Sequence, residues 1–208
     1  MPGVATDSPM LTRREAAELV HVPVGALDKA IEQKVVTALR RGNATWLRSE
    51  DVGVLALLQS AAFPLPIAVK RKIKRWVRDT KPYRARRPSE LPISDALVVR
   101  WSSELTETVQ AAESYARLRD KWIETDPSIK GGEPIIRGTR LGARAVAQRL
   151  EHGDTVATLV EDYPDIPVEA FLTAYTYARA HPRRGRPAKP WRGGDEALGR
   201  RGSVPVAG

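Results

Sequence analysis

Lysine and arginine are the residues of this sequence whose number and grouping could do chemistry, by binding anions. They total 34 against 25 aspartates and glutamates, so the chain carries a formal net charge of +9. Such an excess points first to a polyanionic partner, which could be nucleic acid, an anionic membrane or an acidic site on a protein. The position of these cations along the chain separates these partners.

Residue types that build catalytic and metal sites are scarce. The sequence has no cysteine, which excludes disulfides, thiolate zinc sites and cysteine catalysis. Its three histidines, His21, His152 and His181, are far apart, and no acidic pair has the spacing of a metal site. We therefore expect no enzyme activity, no cofactor and no metal.

The positive charge is concentrated in two segments. Residues 1–69 sum to zero, residues 70–87 to +9, residues 88–180 to −5 and residues 181–208 to +5. This pattern predicts two bodies joined by a basic linker and followed by a basic tail. The predicted divisions are a flexible N-terminus (1–10), a DNA-binding domain with a basic helix (11–80), a basic linker (81–90), a second domain (91–180) and a disordered tail (181–208).

The compartment follows from what the sequence lacks. No apolar run approaches the roughly 20 residues of a membrane-spanning helix. The first residues also lack the basic and then apolar order of an export signal. We expect a cytoplasmic protein without a membrane partner.

Short elements must position the cations of the first domain. Thr12 and Glu15 have the spacing of a capping box, so a helix should begin there and end at Val22-Pro23. Apolar residues at helical spacing predict a second helix around residues 27–31. The Gly-Asn pair at 42–43 predicts a hairpin, and Ser49-Glu50-Asp51 predicts the capped start of a third helix.

Helix, turn, helix, hairpin and helix is the order of a winged helix. Residues 11–60 resemble the winged-helix heads of MerR-like and excisionase-like regulators, with Leu11-Thr12-Arg13-Arg14-Glu15-Ala16-Ala17 in the place of the opening helix. In such folds the second helix enters the major groove and the wing contacts phosphates. A small helical domain that binds protein is the alternative. The resemblance implies DNA contacts by Thr12, Val24, Gly25, Lys29, Arg40 and Arg41.

A basic amphipathic helix should follow Pro66. Its apolar positions, Val69, Ile73, Trp76 and Val77, share one face. A solvated face, a membrane-surface helix and a phosphate-tracking helix are the possible roles, and the narrow apolar stripe argues against a membrane. The candidate phosphate contacts are Lys70, Arg71, Lys74 and Arg78.

Residues 91–180 should combine strands and helices. Strands are predicted at 96–101, 121–124 and 133–136, and the helix after the first strand is predicted from Leu105, Val109, Ala112 and Ala116. Residues 126–140 then read Asp-Pro-Ser-Ile-Lys-Gly-Gly-Glu-Pro-Ile-Ile-Arg-Gly-Thr-Arg. The signature positions of this stretch are Gly132, Pro134, Gly138, Thr139 and Arg140.

This stretch resembles the signature of a small bacterial family: an Asp-Pro, a Gly-x-Pro-x-Ile, a Gly-Thr-Arg and three short helices. Members look like VapB-type antitoxins, which are encoded beside PIN-domain ribonuclease toxins. The resemblance covers about residues 120–180 and implies such a toxin as partner. It also implies a second helix-turn-helix at about 154–162 and 167–180. The Gly-Thr-Arg lacks the context of a phosphate-binding loop, so we interpret it as a structural turn.

The tail admits three interpretations. Arg184-Gly185-Arg186-Pro187 matches the core of an AT-hook, a minor-groove motif, although so short a motif often arises by chance. A solvated tail is the second interpretation. The third follows from the resemblance: the cations would enter the acidic metal pocket of a PIN ribonuclease and Trp191 would anchor the tail beside it. The candidate toxin contacts are Arg183, Arg184, Arg186, Lys189 and Trp191.

The predicted fold is mainly α with short β-hairpins, an N-terminal winged helix-turn-helix, and a C-terminal small β-hairpin with a three-helix, helix-turn-helix-like domain. The predicted function is that of a dimeric antitoxin that represses its own operon by binding DNA and inhibits a PIN-domain, VapC-like ribonuclease. A stand-alone MerR-like or excisionase-like transcriptional regulator is the alternative.

Overall fold

The computed structural model describes residues 9–42, 44–85, 89–129 and 131–182. Within these ranges the chain is mainly helical with short antiparallel strands. No helix there is both long and apolar enough to cross a membrane. The helices are α1 (Arg13–Leu19), α2 (Val24–Glu32), α3 (Ser49–Gln59), α4 (Ile67–Thr80), α5 (Ser103–Trp122), α6 (Ala143–Glu151), α7 (Val156–Asp162) and α8 (Val168–Ala180). The strands are β1 (Met10–Thr12), β2 (Leu39–Arg41), β3 (Ala44–Arg48), β4 (Ser89–Ser94), β5 (Leu97–Trp101), β6 (Ile123–Glu124) and β7 (Ile135–Ile136).

The predicted capping box at the start of α1 is confirmed. The Thr12 hydroxyl accepts a hydrogen bond from the Glu15 amide at 3.3 Å, and the Glu15 carboxylate accepts one from the Thr12 amide at 2.7 Å. These bonds satisfy two backbone donors that a helix start leaves unpaired. The helix ends before Pro23, as predicted, and α2 begins at the next residue.

The predicted hairpin at residues 42–43 is also present. Strands β2 and β3 are antiparallel with Arg41 opposite Ala44, so two residues make the turn. Strand β1, which no sequence pattern predicted, pairs with the other edge of β3 and gives the strand order β1-β3-β2. It begins at Met10, inside the segment predicted as a flexible N-terminus.

The start of α3 differs from the prediction. Ser49 is the first helical residue and not the cap, because its hydroxyl points to Glu113 on α5, 3.3 Å away. The Asp51 carboxylate takes the capping role instead. It accepts the amide of Arg48 at 3.4 Å and the amide of Thr37 at 2.9 Å, which ties α3 to the segment before β2.

The first hydrophobic core draws on both halves of the chain. Helices α1 to α4 bury their apolar faces against one another, and one face of α5 completes the cluster. Gly53 on α3 permits this contact, since a Cβ there would lie 2.5 Å from Val109 Cγ2 and 2.7 Å from Trp101 Cη2. The α5 residues in this core are Leu105, Val109, Ala112, Tyr115 and Ala116.

Residues 81–90 contain regular structure and a buried side chain. A single 3-10 turn spans Pro82–Arg84, and the buried Tyr83 hydroxyl donates to the Glu50 carboxylate at 2.9 Å. The Tyr83 ring also lies 6.3 Å from the Trp101 ring. Strand β4 then pairs with β5 from Ser89 onward, so the segment predicted as a linker begins with a residue of the first core and ends in a strand.

A second core is formed by β7 and the three short helices that the sequence predicts. Helices α6 and α8 make its main contact, and α7 closes one side. Pro167 precedes α8 without any side-chain cap. The buried residues of this core are Ile136, Ala143, Val146, Ala147, Leu159, Ile166, Ala170, Phe171, Ala174 and Ala178.

A buried ionic network connects α1 with α5. The Arg119 guanidinium donates to the Glu15 carboxylate at 2.6 Å and to the Met10 carbonyl at 3.0 Å. The Tyr115 hydroxyl donates to the other Glu15 oxygen at 3.1 Å, and burial together with this carboxylate raises the pKa of Tyr115. Glu15 is completely buried and Arg119 is 8% exposed. Every strong donor and acceptor in the network therefore has a partner inside the protein.

Helix α8 packs on α1 and α5 and so joins the second core to the first. At the edges of this contact, Arg179 pairs with Glu18 of α1 at 2.7 Å, and Lys121 of α5 lies 3.7 Å from Glu169. These pairs are exposed and contribute little energy. The buried contact of Glu15 with Arg119 therefore has the larger effect on stability.

We expect Arg119→Leu to lower the free energy of unfolding by about 3–5 kcal/mol, because it leaves the Glu15 carboxylate buried without a counter-charge. Arg117→Leu, two residues earlier on the exposed side of α5, should change it by no more than about 0.5 kcal/mol. Urea denaturation of both variants measures the difference. Equal effects would contradict a special role for the buried pair.

Candidate nucleic-acid interface

Helix α4 presents a cationic face to solvent because its apolar face is docked on the first core. Ile73 and Val77 are fully buried, and Val69 and Trp76 pack against the same core. This is the amphipathic helix that the sequence predicts. Its outer positions carry Lys70, Arg71, Lys72, Lys74, Arg75 and Arg78.

Two of these cations bind the C-terminal end of α2. The Arg71 Nε donates to the Gln33 carbonyl at 2.9 Å, and the Lys74 Nζ donates to the Lys34 carbonyl at 3.2 Å. Carbonyl groups at a helix end lack intrahelical partners and attract cations. Burial, followed by the neighbouring Arg78 and Arg71, lowers the pKa of Lys74, and Asp51 opposes that shift. The basic helix is therefore held beside α2 by its own cations.

The exposed face of α2 adds to this surface. Gly25 and Lys29 are exposed, and Asp28 is paired with Arg13 of α1 at 2.7 Å. Two acidic residues of α2, Asp28 and Glu32, weaken its attraction for anions, and the ion pair with Arg13 neutralises Asp28. Glu32 stays exposed, so the face is not wholly cationic.

A groove between α2 and α4 brings four predicted DNA contacts together. Its volume is about 400 Å³, and Lys29 and Lys70 line opposite sides of it over an apolar floor. The adjoining depression is lined by Gly25, Lys29 and Arg71. Residues that lie up to 46 positions apart in the sequence thus form one surface.

The other predicted contacts lie in different surroundings. Arg40 and Arg41 are exposed on β2, next to the hairpin turn. Arg78 occupies the last turns of α4 and pairs with Asp79 at 3.1 Å. The hydroxyl of Thr12 caps α1, and Val24 packs against the first core, so both belong to the fold.

Asp51 joins the start of α3 to the segment before the hairpin. Its carboxylate holds the Thr37 amide before β2, and the Lys74 ammonium is one of the charges that act on it. Burial raises the pKa of Asp51 from 3.8 to about 6, although the hydrogen bonds from Thr37 and Arg48 favour the charged form. Near neutral pH the charged form of Asp51 predominates, and keeping that charge buried costs free energy of folding.

The Gly-Thr-Arg segment forms a tight turn before α6. Gly138 has a φ of +75°, which favours glycine, and its amide donates to Glu124 at 3.1 Å. The Thr139 hydroxyl donates to the Ile136 carbonyl at 2.8 Å and accepts the Leu141 amide at 3.0 Å. This geometry is that of a structural turn that seats the helix after it.

The remaining signature residues lie around that turn. Gly132 has a φ of +81°, and the Pro134 carbonyl accepts the Ala143 amide at the start of α6, 2.9 Å away. Arg140 is exposed and lines a depression of about 590 Å³ with Tyr163. The candidate toxin contacts Arg183, Arg184, Arg186, Lys189 and Trp191 lie outside the described residues.

Several contacts of the structure and strand β4 are not predicted from the sequence. Arg119 continues the helical spacing of the predicted apolar stripe, three residues after Ala116, and an arginine at a core position could have indicated a buried partner. The contacts of Arg71 and Lys74 with α2 had no sequence signal, because their acceptors are backbone carbonyls. The first two residues of β4, Ser89 and Glu90, fall in the segment whose charge and prolines predict a linker.

The segment from β6 to α8 coincides with the second core and with the predicted signature. Residues 123–178 match the family DUF433. That family is described as a protein of unknown function, so the DUF433 region brings no activity or partner with it. The resemblance to VapB-type antitoxins remains a prediction.

Two individual proteins are similar to parts of the chain. The uncharacterized protein y4eO of Sinorhizobium fredii (strain NBRC 101917 / NGR234) is 38% identical over 64 residues, which are 31% of this chain and 29% of that protein. The chain therefore spans less than a third of that relative's length. A crystal structure of Rv2018 from Mycobacterium tuberculosis aligns with 82% of this chain and 99% of its own, at 18% identity and a TM-score of 0.33. That score is too low to inform the fold or the function.

We expect Asp51 to make the protein less stable as the pH rises from about 4 to about 6. Over this range the unfolded state releases the proton while the folded state retains it, so ionisation costs up to about 3 kcal/mol of unfolding free energy. The measurement is the unfolding free energy of the native chain and of Asp51→Asn at several pH values.

The stability difference, native chain minus Asp51→Asn, should fall across that pH range. The matched control is Asp79→Asn, an exposed aspartate on α4, which should follow the native curve. A native pH dependence that survives in Asp51→Asn would show that the carboxyl group is not its source.

Proposed function

We propose that this chain is the antitoxin of a type II toxin–antitoxin pair. Its N-terminal elements bind operator DNA as a winged helix-turn-helix. Its DUF433 region and basic tail bind and inhibit a PIN-domain ribonuclease. The observation that carries the DNA-binding part is the shared cationic surface of α2 and α4.

The geometry of this surface suits a duplex. Gly25 and Lys29 lie on the exposed face of α2, where a helix in the major groove contacts bases. Lys70 and Arg71 line the depressions beside that face, at positions suited to backbone phosphates. In the described part of the chain, neither Lys29 nor Lys70 has an acidic partner, so both ammonium groups are available to phosphates.

The hairpin and α4 extend the same proposal. Arg40 and Arg41 on β2 take the place of a wing, and Asp51 holds the segment before β2 through the Thr37 amide. Release of condensed counterions by these cations would make binding strongly salt-dependent. A dimer of this chain would match a palindromic operator.

The toxin-binding part rests on the resemblance of residues 126–140 to VapB-type antitoxins. Residues 88–180 carry a net charge of −5, which makes them a poor surface for DNA and leaves them for contacts with protein. The tail carries +5 over residues 181–208. Arginines on such a segment fit the clustered carboxylates of a metal-dependent ribonuclease.

We expect the double variant Lys29→Ala, Lys70→Ala to bind operator DNA at least about tenfold more weakly, with a salt slope smaller by roughly two. Fluorescence anisotropy with DNA from upstream of the gene, titrated at several salt concentrations, gives both quantities. Arg100→Ala with Arg117→Ala removes the same charge from exposed positions on β5 and α5 and serves as the control. An unchanged slope in the first variant would remove the α2–α4 groove from the interface.

We expect the chain to co-purify with a PIN-domain protein encoded beside it when the two are co-expressed. Deletion of residues 182–208 should abolish neutralisation of that ribonuclease and leave operator binding intact, because both described cores are built from residues before 181. Neutralisation that survives the deletion would refute the toxin-binding role of the tail. Absence of a neighbouring PIN gene would favour the stand-alone regulator.

A further inference from the structure

Helix α8 exposes an apolar strip on the side that faces away from the second core. Val168 and Leu172, one turn apart, are 47% and 49% exposed, and Tyr163 at the end of α7 is 37% exposed. The Tyr163 ring lies 6.5 Å from Phe171, whose side chain is fully buried beneath the strip. A surface helix normally turns polar residues outward, so this strip suits a docking segment.

The chain segment that carries the strip is rich in acidic residues, although Arg140 lines the same depression as Tyr163 and Asp165. Residues 150–178 contain six aspartates and glutamates and no lysine or arginine. Asp162 pairs with Arg149 at 2.6 Å, but Glu161 and Asp165 are exposed and have no cationic partner among the described residues. Near the end of α8, Glu18 and Glu151 line a surface depression together with Pro182, Arg144 and Arg179, and Arg179 is paired with Glu18. An occupant of the strip should therefore be basic.

The tail has the matching composition. Residues 183–192 contain five arginines and lysines, no acidic residue and one large apolar side chain, that of Trp191. Charge complementarity of this kind selects a partner and its orientation. An aromatic anchor between cations supplies the apolar contact.

The tail is also long enough to reach the strip. Twelve helical steps separate Ala180 from Val168, which is roughly 18 Å along α8. Nine residue steps lead from Pro182 to Trp191 and can span up to about 30 Å. A tail that turns back along α8 can thus place Trp191 beside Leu172 and Val168, with Lys189 and Arg192 near the acidic end.

We propose that the basic tail docks on the outer face of α8 of its own chain. Trp191 covers the strip of Tyr163, Val168 and Leu172, the flanking cations face Glu161 and Asp165, and Arg183 and Arg184 pass Glu151. The docking does not require the proposed antitoxin function. If that function holds, the free chain keeps its tail on α8, and the toxin must displace it.

The absence of cysteine makes disulfide trapping a clean test. Val168→Cys with Gly193→Cys places one thiol on the strip and one beyond Trp191. Lys121→Cys with Gly193→Cys is the matched control, because Lys121 is exposed and contacts Glu169, one residue along from Val168, on the other flank of α8. Equilibration in glutathione buffers gives the effective concentration of each thiol pair.

We expect the strip pair to show an effective concentration about tenfold or more above that of the control pair. Trp191→Ser, or Glu161→Lys with Asp165→Lys, should remove the difference without unfolding the chain, since the two cores are built from residues before 181 and the acidic residues are exposed. Equal values for the two pairs, or a difference that survives both changes, would overturn the proposal. Disulfides between chains that increase with protein concentration would also overturn it, in favour of exchange between copies. Toxin is absent throughout, so either result leaves the toxin-neutralisation test independent.

Discussion

The buried contact between Glu15 and Arg119 is the interaction on which the arrangement of the two cores depends. One Glu15 carboxylate completes the cap of α1, neutralises the guanidinium and accepts the Tyr115 hydroxyl. Arg119 in turn binds the Met10 carbonyl on β1 and lies over the Trp46 ring of β3. Since a buried charge is costly unless all its partners are in place, the network permits one position of α5 against the N-terminal sheet. The DUF433 region follows directly from the end of α5, so its position is set by the same contact.

The cationic surface is constrained in a related way. Arg71 and Lys74 supply charge, and they also hold the C-terminal end of α2 through backbone carbonyls. The cations that are free of such contacts, Lys29 and Lys70, line the groove between the helices. Substitution at Arg71 or Lys74 would therefore change the spacing of the surface as well as its charge. Lys29 and Lys70 are the residues at which charge can be altered by itself.

Patterns that are local in the sequence predicted local structure well. The Thr12–Glu15 spacing, the Gly-Asn turn and the stripe of α4 each depend on neighbours a few residues away, and each element is present. The errors and omissions concern contacts between distant residues. Local spacing predicts Ser49 as a cap, whereas its hydroxyl donates to Glu113, 64 positions away. No local pattern predicts the contact of Arg119 with Glu15, 104 positions away. The sequence predicts the cations of α2 and those of α4 as two separate groups. It does not predict the groove between the two helices, because local patterns contain no information on how helices pack.

The placement of α5 in the first core also has a consequence for synthesis. A ribosome releases residues 11–80 first, yet the face of α3 around Gly53 stays uncovered until Val109 and Arg119 have emerged, roughly 40 residues later. At elongation rates of about 5–20 residues per second that interval is on the order of 2–8 s. During those seconds the nascent N-terminal half exposes apolar surface and an unpaired Glu15. The first core can therefore be completed only after α5 has emerged, late in translation.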